Sequence, residues 1–159
     1  MKLGCLSGVL ALACGLPLHA QVTVEVAQDQ EQFLRDEALP LSVRVTNRSG
    51  KPLTLGADDS WLVFTVENMD GSVVGKLGDV PVQGTFTVKS SQTAHRLVDL
   101  MPYYAWKPGR FRVVATVKIR EWEQEVSSPP ARIEVGHAER GEARIYFGKD
   151  VDADPDFLR

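Results

Sequence analysis

Few residues of this 159-residue chain are placed to do chemistry, and they are scattered. Serine hydrolysis needs a nucleophile held against a histidine base, often in a Gly-x-Ser-x-Gly turn. No such turn occurs. His95 stands between Ala94 and Arg96, and His137 follows Gly136; neither has partners at metal-ligand spacing, and both read as solvated. Asp150, Asp152, Asp154 and Asp156 recur at every second position. A calcium loop of the EF-hand kind needs glycine at its sixth position, where this run has Pro155. The run therefore reads as an acidic tail. Gly75 and Gly78 lack the Lys-Ser/Thr or strand-to-helix setting of a phosphate-cradling loop. No catalytic residue, metal site or cofactor is expected.

Two features point instead to binding. Arg110, Arg112, Lys118 and Arg120 fall on one face of a strand and could attract an anionic partner such as a polysaccharide. The competing reading is a solvated face balanced across strands by Glu67 and Glu134. Trp122, in Glu121-Trp122-Glu123, falls near an expected hairpin tip. There it either anchors a partner or folds back over the sheet edge. Trp122, Arg110 and Arg112 are thus the candidate binding surface. Asn47-Arg48-Ser49 is also a glycosylation sequon, meaningful only in a eukaryotic secretory pathway.

The elements that must position these residues repeat with period two. Val22, Val24 and Val26 alternate with Thr23 and Glu25, and Leu41, Val43 and Val45 with Ser42, Arg44 and Thr46. Phe111, Val113, Ala115, Val117 and Ile119 form the longest such row, interrupted by Val114. Strands with one buried and one wet face give this pattern. Turn signals fall between the runs: Asn47-Arg48-Ser49-Gly50, Asn68-Met69-Asp70-Gly71, Pro108-Gly109 and Pro129-Pro130. Gly75 to Gly84 reads as a loop, followed by a strand at Thr85–Lys89 and a last one at Ala131–Val135. Seven to nine short strands predict an antiparallel β-sandwich, with a closed barrel as the alternative topology.

The first twenty residues differ in kind. Met1 and Lys2 give a positive start, Leu6 to Leu18 is almost wholly apolar or small, and Ala20 supplies a small residue for cleavage. This reads as a signal peptide over 1–20, since the run is shorter than the roughly 20 apolar residues of a membrane-spanning helix. Lipidation at Cys14 fits poorly, because Ala11 stands where a larger aliphatic residue is wanted. Both cysteines, Cys5 and Cys14, fall inside the signal. The mature chain then has no disulfide and rests on core burial alone, which about 139 residues can supply. Net charge is −3, or −4 once Lys2 is removed, which excludes a strongly basic nucleic-acid binder. The expected organisation is a signal at 1–20, a sandwich at 21–136 and a partly disordered tail at 137–159. The mature chain has no expected transmembrane segment, and its destination is the periplasm or the exterior.

The segment from Asp99 through Tyr103-Tyr104-Ala105-Trp106-Lys107-Pro108-Gly109 to Val113 resembles the turn into the penultimate strand of bacterial immunoglobulin-like and fibronectin-III-like modules. Leu41 to Gly50, ending Val45-Thr46-Asn47-Arg48-Ser49-Gly50, is similar to their second strand and turn. The resemblance spans roughly Val22 to Val135. It implies an immunoglobulin-like fold with Tyr103, by spacing, as the structural corner whose hydroxyl bonds nearby backbone. The fold hosts many functions. The expected one is a non-catalytic binding or interaction module, its partner another envelope or extracellular protein or a polysaccharide. A structural or assembly subunit and a proteinase inhibitor are the alternatives.

Overall fold

A computed structural model of the chain describes residues 21–35 and 37–137. The expected signal peptide, Cys14 and the acidic run Asp150 to Asp156 lie outside the described residues.

Ten strands build the described fold: β1 (Val22–Ala27), β2 (Gln32–Leu34), β3 (Pro40–Asn47), β4 (Leu53–Leu55), β5 (Leu62–Asn68), β6 (Phe86–Val88), β7 (Thr93–Asp99), β8 (Gly109–Ile119), β9 (Gln124–Ser127) and β10 (Ala131–Gly136). One sheet has the order β1-β3-β7 and the second β2-β10-β8-β5, with β9 also on β8 and β4-β6 a separate two-stranded ladder. All pairings are antiparallel except β2 on β10. Valines 22 and 24 of β1, Leu41, Val43 and Val45 of β3, and the Phe111–Ile119 row of β8 face one shared core. Each valine, leucine, isoleucine or phenylalanine among them contributes roughly 1.5–3 kcal/mol by leaving water. The period-two rows therefore decide which face of each sheet turns inward. The architecture is an immunoglobulin-like antiparallel β-sandwich.

The strand count exceeds the expected range because two long runs are interrupted. β9 and β10 lie one after the other along the same side of β8, parted by Pro129-Pro130, which offer no N–H to a ladder. At the break the buried Ser128 substitutes its side chain: its Oγ accepts from Ala115 N at 3.0 Å, while its own N–H donates to Ala115 O at 2.8 Å.

The second interruption parts the β3-β7 ladder from the β4-β6 ladder, and Asn47 bridges it. Its side chain is 0% exposed. Nδ2 donates to Lys51 O at 2.7 Å and to Val88 O at 2.8 Å, and Oδ1 accepts from Ser49 N and Ser49 Oγ at 3.0 and 2.7 Å. One amide thereby stands in for the missing rungs and closes its own turn, with both donors and the acceptor used. Farther on, Gly56 (φ +80°) passes so near Gly84 that a Cβ would meet its carbonyl oxygen at 2.2 Å, so glycine is required there.

Candidate functional site

The basic row of β8 is not an unpaired anion-binding stripe. Register places Glu67 beside Arg112, Glu134 beside Arg110 and Glu125 beside Lys118. The side chains meet at 3.6, 3.9 and 3.5 Å, and Arg120 reaches Asp58 at 2.9 Å. These are exposed or half-exposed pairs, and pairs of that kind add little to stability. Hydrogen bonds from Ser60 hold the Asp58 carboxyl below the usual carboxylate range, with the Arg120 guanidinium adding to them. Arg110 remains largely exposed, and with Met69, Phe111, Arg132 and Glu134 it lines a shallow cleft of about 230 Å³ at one end of the sandwich.

Trp122 folds back. It closes a single 3-10 turn, Arg120–Trp122, followed by Glu123 in the left-handed region (φ +51°). This tight reversal brings the indole half-buried onto the core. It is a covering residue of the hairpin tip, not a projecting anchor.

The corner expectation also moves by one residue. Tyr103 is half-buried, and the tyrosine hydroxyl that bonds backbone belongs to Tyr104. Tyr104 is 4% exposed, packs against Trp106 at 5.8 Å between ring centroids, and donates through Oη to Phe64 O at 2.7 Å. Its partner lies forty residues upstream on β5, not in nearby backbone. Burial pushes its phenol pKa up to about 12.

That bond belongs to a larger arrangement at the edge of β5. Lys118 N donates to Trp61 O, so alternation aims the backbone groups of Val63, Thr65 and Glu67 at β8 and those of Phe64, Val66 and Asn68 past the edge. Each of these three residues meets a partner there. Phe64 O accepts from Tyr104 Oη, Val66 O accepts from Val74 N at 2.8 Å, and Asn68 N donates to Ser72 O at 2.8 Å. The supposed loop from Gly75 to Gly84 continues this closure. Val80 and Val82 are buried, and Val82 O accepts from Trp61 Nε1 at 2.6 Å.

β7 is the opposite case. Asn47 N donates to Gln92 O at 2.9 Å and Leu100 N to Leu39 O at 3.1 Å, which fixes the alternation. Residues 94, 96 and 98 turn their backbone groups to β3, and Thr93, His95 and Leu97 turn theirs to the open edge. Among the described residues, no backbone bond outside the β3 ladder reaches those three. Their side chains are exposed as well, Leu97 at 72%. Sheets of this kind carry four strands in the constant-type immunoglobulin arrangement. Here the segment after β5 turns to β5's own edge, and among the described residues no strand pairs with β7 on its outer side.

Comparison with known proteins places the fold and nothing further. No protein-family model matches the chain, and no curated protein matches it. Among solved structures it is similar to the sporulation control protein Spo0M from Bacillus subtilis, at 12% identity and a TM-score of 0.51 over 74% of this chain. It spans half of that protein's length. A β-glucosidase from Listeria innocua (11% identity, 72% of this chain and 16% of that one, TM-score 0.45) is a looser match. So is the CARDB domain of PF1109 from Pyrococcus furiosus (13% identity, 73% and 94%, TM-score 0.38). Among the described residues no helix is long and apolar enough to cross a membrane.

Proposed function

We propose that this chain is a non-catalytic interaction module of the cell envelope, exported by its first twenty residues, which holds an extended segment of another protein along β7. The supporting observation is that, among the described residues, no strand takes the fourth place, beside β7. Three consecutive outward residues there offer both backbone donor and acceptor, while the other sheet's edge on β5 is capped residue by residue. Main-chain bonding of an added strand supplies affinity, and pockets or charges for alternate side chains supply selectivity.

The test is selection of displayed random decapeptides on the folded domain, followed by amide exchange of the complexes. The expected result is slowed exchange at Thr93, His95 and Leu97. Peptides that instead protect Arg110 and Arg132 at the end cleft, or a selection yielding none that protects β7, overturns the reading.

A further inference from the structure

Resting on that reading of β7, we infer what the added strand looks like: an antiparallel segment carrying an apolar residue, then a carboxylate, then threonine at alternate positions. The apolar residue lies opposite Leu97, the carboxylate opposite His95 and the threonine opposite Thr93.

Geometry sets the spacing. Thr93, His95 and Leu97 present both their edge-directed backbone groups and their exposed side chains, so partner residues two apart face them in turn. Antiparallel addition continues the sense of both ladders already in this sheet and makes the better pairing.

Charge sets the middle residue. The row across the outer face runs Glu25, Arg44, His95. None of the ion pairs among the described residues uses Arg44 or His95. On the inner side of β7 lies Arg96, whose guanidinium donates to Gln83 O, and Asp99 at the strand's end is occupied by the N–H groups of Leu39 and Met101. The groups facing an added strand at mid-length are thus cationic or neutral, and Glu25, the acidic member of the row, stands on the far side of β3. A carboxylate opposite His95 complements them. β1 already uses this solution on the other flank of β3, where Glu25 is in register with Arg44 and Thr23 with Thr46.

The remaining two positions follow from their partners. Leu97 leaves most of its surface to water and gains by covering with an apolar side chain. Thr93 already shares a hydroxyl–hydroxyl bond with Thr46 at 2.8 Å, a row that a third threonine extends.

The experiment titrates the isotope-labelled full chain with the synthetic peptide Thr-Val-Thr-Glu-Val-Thr-Ser and with its Glu-to-Lys counterpart, following amide shifts and exchange at β7. The glutamate peptide is expected to bind about five- to tenfold tighter, a gap that salt narrows. In the Arg44→Glu variant the order of the two peptides reverses. If both peptides protect Thr93, His95 and Leu97 equally, the charge inference falls and the edge reading stands. If neither protects them, both fall.

Discussion

β5 and β7 each end a sheet, and each leaves alternate residues with backbone groups aimed past the last strand. At β5 a phenol, a neighbouring strand segment and a turn meet those groups one after another. At β7 none of the described residues does. Proteins usually blunt a free edge with lysine, proline, a bulge or a covering segment, because a bare one templates pairing with other chains. β7 has neither lysine nor proline, and it turns Leu97 outward. The segment that follows β5 covers that edge, and among the described residues no segment does the same for β7. That contrast is the observation on which the proposed use of β7 rests.

The contrast can be broken from either side. Tyr104→Ala removes a buried ring together with the cap on Phe64 O and is expected to lower stability by about 3–5 kcal/mol. Urea unfolding reads this as a lower midpoint. Tyr104→Phe keeps the ring and loses only the cap, leaving a buried carbonyl oxygen unmet, for about 1–2 kcal/mol. A Phe variant as stable as the parent would show that the β5 edge is closed by packing alone.

The same residue gives a pH test. Its folded-state pKa of about 12 lies above the value near 10 of an unfolded tyrosine. The neutral phenol is therefore favoured by folding, so this contribution is whole below pH 10 and is lost as pH rises from 10 to 12. Denaturation midpoints measured across that window should fall more steeply for the parent than for Tyr104→Phe. At the open edge the expected effect is smallest: Leu97→Lys changes stability by no more than about 0.5 kcal/mol. A larger loss would mean that β7 is already partnered within the fold.

Much of the sandwich is written in plain alternation. β1, β3 and β8 put valine, leucine and phenylalanine on one face and charged or hydroxyl residues on the other, so their buried sides follow from burial alone. β7 reverses that polarity at two places, with Leu97 exposed and Arg96 on the inner side, and the reversal hides the strand. His95 accordingly reads only as a solvated residue. An arginine is tolerated there because its guanidinium finds Gln83 O, a partner thirteen residues away. The basic row was legible only as two alternatives, since pairing with Glu67, Glu125 and Glu134 depends on register. Tyr103 and Tyr104 are adjacent and chemically identical, so which one turns inward is decided by the strand phase at β5, outside the corner segment itself.

Asn47 bears on how the protein can be produced. Its Nδ2, the atom a eukaryotic oligosaccharide would be joined to, is enclosed and spends both protons on Lys51 and Val88 carbonyls. A sugar there would delete one of those bonds and demand room where none exists. In a yeast or mammalian secretory host, chains modified at this sequon before folding could not form the junction between the two ladders. The folded fraction would consist of molecules that escaped modification, so a bacterial host or an Asn-retaining Ser49→Ala variant is the better route to homogeneous protein. That variant abolishes the sequon and keeps the two ladder-bridging bonds, giving up only the hydroxyl's contacts to Asn47 Oδ1 and the Lys51 backbone.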